Sequence, residues 1–190
     1  MKTNIIPFLL LFLFLSCKND KKNPEETVVE EPVVTTSETK TEKIKVALES
    51  KSGSQASGNA VFKQENGEVS LVVLLSNLSE GEHAIHIHEK ADCSADDGTS
   101  SGGHWNPTAQ PHGKWGNSSG YHKGDIGNLI ADANGNATLN FSTDEWCIGC
   151  GDPKKDILGK AVIVHQGVDD FTSQPTGAAG GRISCGGIIE

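Results

Sequence analysis

Six of the seven histidines in this 190-residue sequence stand at spacings that suit a metal ion. His86-Ile87-His88 sets two imidazoles two positions apart. On a strand such positions share a face, so both rings converge from one element. Taken alone, the pair is weak evidence for a metal and is better explained as two polar residues on a solvated face. The segment that follows is more specific: His104, His112 and His122 add three imidazoles, and Asp125 adds a carboxylate. Three nitrogen donors and one oxygen make a closed tetrahedral set suited to structural Zn²⁺. His165 ends the apolar run Ala161-Val162-Ile163-Val164. An imidazole-rich site also suits Cu²⁺, whose preferred geometry is tetragonal.

The elements that must position these residues read as short strands. Ile44, Val46 and Leu48 alternate with Lys45, Ala47 and Glu49 from Lys43 onward. Val61-Phe62 and Val69 to Leu75 flank Asn66-Gly67, and Ile126 to Ala131 and Ala137 to Phe141 flank Asn134-Gly135, two hairpin signals. Ala84 to His88, Ala161 to His165 and Ile183 to Ile189 complete the set, and no segment keeps a helical period. The expected fold is all-β, with seven or eight short strands in an antiparallel sandwich or flattened barrel. Residues 89–124 and 142–159 are long, rich in Gly and Pro and without period, which marks functional loops. The chain holds 22 Gly, and its 25 acidic against 16 basic residues argue against nucleic acid as a partner.

The first residues belong to another class. Lys2 and the apolar run Ile5 to Leu15 have the proportions of an export signal, too short to span a bilayer as a mature helix. Ser16-Cys17 resembles a bacterial lipoprotein cleavage site. Residues 1–16 are therefore expected to be a signal peptide, with Cys17 lipidated and residues 17–42 a disordered tether. The folded domain would span 43–190, held at a periplasmic or cell-surface face of a bacterial membrane by its lipid alone. Monomer and homodimer are both open.

His86-Ile87-His88-Glu89, Gly103-His104-Trp105-Asn106-Pro107, His112-Gly113, His122-Lys123-Gly124-Asp125, Val164-His165 and Gly181-Arg182-Ile183-Ser184-Cys185-Gly186 occur in that order. Together they resemble the successive signatures of the copper/zinc superoxide dismutase family. The resemblance implies an immunoglobulin-like Greek-key fold of about eight antiparallel strands, with one copper and one zinc per subunit. It implies copper on His86, His88, His104 and His165, and zinc on His104, His112, His122 and Asp125. His104 would bridge the metals and take up a proton when copper is reduced. Arg182 would orient the superoxide anion, Asp169 would link a copper ligand to a zinc ligand, and Cys93 would pair with Cys185. His83 matches no ligand and is expected at the surface ahead of its strand.

Two features depart from the family pattern. Residues 166–181 contain no Lys where relatives place a cation to guide substrate, so Lys90, Lys114 and Lys123 become candidates. Cys147-Ile148-Gly149-Cys150 has no thioredoxin-like context and reads first as a small loop disulfide, with metal acquisition as an alternative. Trp105 and Trp146 read as packing residues. The competing functions are a noncatalytic copper-binding or copper-delivery lipoprotein and a metal scavenger.

Overall fold

The structure, a computed structural model, describes residues 41–190. The expected signal peptide, Cys17 and the tether as far as residue 40 lie outside the described residues. Eight strands follow: β1 (Glu42–Ser50), β2 (Ser57–Glu65), β3 (Glu68–Ser76), β4 (Gly81–His88), β5 (Gly127–Ala131), β6 (Ala137–Thr143), β7 (Ala161–His165) and β8 (Arg182–Gly187). A short 3₁₀ turn, Thr99–Ser101, is the one helical element among the described residues. The strands close a barrel in the order β1-β2-β3-β6-β5-β4-β7-β8, every pair antiparallel. The crossings β3→β4 and β6→β7 are the Greek-key connections.

The two four-stranded halves of the barrel meet at thin seams. β5 and β6 share a single registered pair, Ala131↔Ala137. β1 and β8 share two, Glu49↔Cys185 and Ser50↔Ser184. Serine hydroxyls reinforce this second seam: Ser52 Oγ donates to the Arg182 carbonyl at 2.8 Å, Ser54 Oγ to that of Ile183 at 2.6 Å, and Ser184 Oγ to that of Glu49 at 3.0 Å.

Alternation places the core where the sequence pattern puts it. Ile44, Val46 and Leu48 of β1 and Val69, Leu71, Val73 and Leu75 of β3 are buried, while Lys45, Ala47, Glu49, Val72 and Leu74 face outward. The Asn66-Gly67 turn has φ of 52° and 83°, the doubly positive combination a tight hairpin demands. β4 departs from simple alternation, being buried on both faces from His83 to His88. Ile85 and Ile87 point into the core, while His86 and His88 take the other face and are covered by the long loops.

His83 corrects one expectation, for it is 2% exposed instead of lying at the surface. It shares the parity of Ile85 and Ile87, so the strand carries it inward. Its Nδ1 lies 2.9 Å from the His165 carbonyl and its Nε2 3.0 Å from Ser79 Oγ. Those partners make the burial of a polar ring tolerable. Trp105 and Trp146 are buried as expected, at 3% and 1%.

Candidate metal centre

β4, β7 and three loop segments bring the predicted residues together. His86 and His88 come from β4 and His165 from the end of β7, which pairs with β4 through Ile85↔Val164. Residues 103–105 and 124 are stitched to the same strand: Trp105 N–H donates to the Ile87 carbonyl at 2.8 Å, Ile87 N–H to that of Gly124 at 2.9 Å, and His88 bridges His104. Gly124 is required there, because a Cβ would stand 2.2 Å from the Ile87 oxygen.

Six imidazole nitrogens are buried without a hydrogen-bond partner: His86 Nδ1, His88 Nε2, His104 Nε2, His112 Nδ1, His122 Nδ1 and His165 Nε2. Each belongs to one of the two expected ligand sets. In four of the rings the opposite nitrogen is tied down. His86 Nε2–H donates to Asp169 Oδ2 at 2.8 Å, and His112 Nε2–H donates to Asp169 Oδ1 at 2.9 Å. His88 Nδ1–H donates to the Gly102 carbonyl at 2.9 Å and His165 Nδ1–H to that of Gly180 at 3.2 Å. A ring whose proton is held on one nitrogen presents the lone pair of the other, the arrangement that metal-ligating histidines require.

The donors form two groups sharing one residue. His86, His88, His104 and His165 make one, and His104, His112, His122 and Asp125 the other; within each, the donor atoms lie within 4.8 Å of one another. The Asp125 oxygens stand 2.9, 3.0 and 3.3 Å from Nδ1 of His104, His112 and His122. Bonds of about 2.0–2.1 Å to a tetrahedral Zn²⁺ imply ligand separations of about 3.3–3.4 Å, so these donors are gathered at or slightly inside the spacing a bound ion would set. The residues therefore fit a copper ion and a zinc ion with His104 between them.

Electrostatics favour the ligating forms of His86, His88, His104, His165, Asp125 and Asp169, while in the metal-free site His112 is held protonated at neutral pH. Burial holds His86 and His88 below the ordinary imidazole range, and His104 and His165 fall to about 4 and about 3 for the same reason. For His112 burial again acts downward, but the carboxylates of Asp125 and Asp169 outweigh it and raise the ring to about 9. Burial opposes ionisation of Asp125 and Asp169, yet their histidine partners keep both well below the usual carboxylate range. Neutral imidazoles and anionic carboxylates are the forms that bind metal.

Arg182 reaches the centre through an irregularity. The β7–β8 register slips between Val164↔Ser184 and His165↔Arg182, leaving Ile183 as the extra residue of a bulge. Arg182 is thereby the cross-strand partner of His165. Its Nη1 donates to the Gly98 carbonyl at 2.8 Å and to Ser101 Oγ at 2.9 Å, which fixes the guanidinium and leaves its other N–H groups for a ligand. Burial lowers its pKa, partly offset by Asp97, and an arginine stays charged at neutral pH regardless. Ser101, wholly buried, was invisible in the sequence because nothing local marks it as the arginine's partner.

Cys93 and Cys185 are bonded, joining the long metal loop to β8 across a sequence separation of 92. Cys147 and Cys150 form the small loop disulfide. Of the candidate steering lysines, Lys123 is ion-paired with Glu145, and Lys114 lies 5.9 Å over the Phe171 ring. Glu145 also accepts from Tyr121 at 2.6 Å, and Trp146 Nε1 donates to the Lys123 carbonyl at 2.8 Å, so the 144–160 loop grips the segment that carries His122.

An eight-stranded Greek-key barrel with two fused histidine clusters defines a dinuclear metalloprotein. Residues 56–188 match the family described as copper/zinc superoxide dismutase (SODC). The chain belongs to that family, whose metals are copper and zinc. It is 39% identical over 142 residues to the extracellular superoxide dismutase [Cu-Zn] of Drosophila melanogaster, covering 70% of this chain and 76% of that protein. It is 38% identical over 134 residues to superoxide dismutase [Cu-Zn] 1 of Aquifex aeolicus, covering 68% and 78%. Among solved structures, a SOD-like protein from Bacillus subtilis superposes with a TM-score of 0.68 at 29% identity, covering 76% of this chain and 97% of that one.

Proposed function

We propose that this chain is a superoxide dismutase, converting two superoxide ions and two protons to dioxygen and hydrogen peroxide. The observation that carries the reading is the set of six buried, unpartnered imidazole nitrogens in two groups that share His104, with Arg182 opposite His165. Copper would be held by His86, His88, His104 and His165, and zinc by His104, His112, His122 and Asp125. When bound, copper supplies a one-electron couple that serves both halves of the disproportionation, while zinc, which has no redox chemistry, supplies a fixed charge.

The chain's own residues do the rest. Arg182, braced by Gly98 and Ser101, offers its remaining N–H groups to the anion and holds it beside the His165 ring. His104 is anchored through Nδ1 on the Asp125 side, so its Nε2 can alternate between lone pair and proton next to the substrate. Asp169 holds His86 and His112 at once and keeps the two ligand sets in one rigid frame. The protein works outside the cytoplasm, anchored by lipid at Cys17; its two disulfides and its extracellular relatives support export.

The test is dismutation by the full chain reconstituted with both metals. The expected result is cyanide-sensitive activity with equal copper and zinc. Arg182→Ala should lower kcat/KM about tenfold or more, the worth of a hydrogen bond to a charged group, and flatten its salt dependence. A delivery or scavenging protein would instead bind copper and leave superoxide unconsumed.

A further inference from the structure

Among the described residues a third group also brings one donor atom each within 4.8 Å: Cys147, Cys150 and Asp156. It lies in the 144–160 loop, outside the histidine centre. We propose that these residues form a thiol-gated third metal site, closed while the cysteines are disulfide-bonded and open to Zn²⁺ when they are reduced.

The donor chemistry selects the ion. Two thiolates and one carboxylate, with a fourth position left for water, suit tetrahedral Zn²⁺. Copper(I) favours soft sulfur donors and gains little from a carboxylate.

The loop holds these donors ready. Asp156 Oδ1 accepts the N–H of Gly149 and of Leu158, each at 3.0 Å, and Oδ2 accepts that of Gly151 at 2.8 Å. A carboxylate has about four lone-pair sites, so three bonds orient it and one site stays free. Cys150 Sγ accepts the Asp152 N–H at 3.4 Å, a contact that favours the thiolate. Gly149 and Gly151, at φ of 65° and 74°, let the chain wind around Cys150 so that its sulfur faces Asp156. Asp156 is itself bridged to Cys147 along the backbone.

Access makes the gate selective. Cys150 is exposed, whereas in the other disulfide Cys93 is only partly exposed and Cys185 is 1% exposed. A dithiol reductant of the thioredoxin class can attack Cys150 Sγ, breaking the S–S bond and releasing Cys147 as a thiolate. The reductant's second thiol then displaces Cys150 and leaves as an intramolecular disulfide. Two electrons pass from reductant to protein, and the reductant's two protons are shared between the freed sulfurs and solvent. Zn²⁺ binding takes both sulfurs as thiolates. The site adjoins the established centre through Trp146, which precedes Cys147 and donates to the Lys123 carbonyl beside His122.

The experiment uses the full chain loaded with copper and zinc, with any free Cys17 thiol alkylated first. A phosphine reductant is added until peptide mapping shows Cys147 and Cys150 free and Cys93–Cys185 intact. The oxidised and reduced forms are then exposed to Zn²⁺ and weighed by native mass spectrometry. The expected result is two metals in the oxidised chain and three in the reduced one. Co²⁺ used as a probe should give a thiolate charge-transfer band in the reduced form only. Cys150→Ser should abolish the third ion, and Asp156→Asn should weaken it by at least about tenfold while the histidine metals are retained. The proposal is overturned if the reduced chain still takes two metals, if Cys150→Ser takes three, or if Cys147–Cys150 opens no sooner than Cys93–Cys185. The metal count of the oxidised chain tests the histidine centre separately.

Discussion

Asp169→Asn isolates the link between the two ligand sets. The carboxylate receives His86 Nε2–H at 2.8 Å on Oδ2, and His112 Nε2–H at 2.9 Å and Phe171 N–H at 2.7 Å on Oδ1. An amide of the same shape has one oxygen and one NH₂. The turn that keeps the oxygen on His112 and Phe171 preserves two bonds and aims the NH₂ at the His86 N–H. The substitution should therefore release His86 first. A lost bond to a charged group is worth about 1.5–3 kcal/mol. Loss of such a supporting group costs metal affinity about 10–100-fold, which is the same size. Copper affinity should fall by that factor and zinc affinity by less, whereas Asp169→Ala should weaken both. Competition titration against a chelator of known affinity, one metal at a time, reads each site. Affinities for both metals within about twofold of wild type, or a zinc loss larger than the copper loss, would refute the reasoning.

Gly177→Ala should injure the same link from outside: its Cβ would stand 2.0 Å from Asp169 Oδ1 and 2.7 Å from His112 Nε2, at φ +67°. Metal content and activity should drop together, and a variant with full zinc would contradict the packing argument. By loop-closure entropy, removing Cys93–Cys185 should cost about 4.6 kcal/mol and removing Cys147–Cys150 about 1.6 kcal/mol, from separations of 92 and 3 residues. Urea unfolding of the two Cys→Ser pairs checks that order. The metal-free protein should lose stability on the acid side. His104 and His165, held to about 4 and about 3, stay neutral in the folded state while the unfolded chain takes up protons below about 6.5. Stability therefore falls as the pH drops from about 6.5 toward 4. His112, raised to about 9, acts in the other direction, its contribution being lost only as pH rises through that value. A urea midpoint that does not fall between pH 7 and pH 5 would contradict this.

The ligand residues were legible in the sequence because their signals are local or ordered along the chain. His86 and His88 sit at strand spacing, and His104, His112, His122 and Asp125 crowd one loop. Asn66-Gly67 announced its hairpin because few other residue pairs hold two successive positive φ angles. His83 was misread because its partners are distant or unremarkable: Ser79 lies outside the strand, and the His165 carbonyl is 82 residues away. Strand parity alone could have flagged it, since it shares the face of Ile85 and Ile87. The setting of Arg182 was hidden for another reason. A bulge is a property of two paired strands, and no pattern within Arg182-Ile183-Ser184 reports which residue of β7 it will oppose. The ion pair of Lys123 with Glu145 was hidden likewise, because its partner lies 22 residues along the chain on another loop.

The thin seam between β1 and β8 gives the buried disulfide a second consequence. Strands that meet over two registered pairs and a few serine hydroxyls are where a closed barrel opens first when the protein breathes. Cys185 stands on that seam, directly opposite Glu49. Once the seam parts, β1 and β8 become free edges with unpaired N–H and C=O groups, templates for the strand of another molecule. Tying Cys185 to Cys93 braces the seam from outside the sheet. The bond that positions the metal loop thus also keeps the barrel from acquiring an edge, and its loss should show as self-association before it shows as global unfolding.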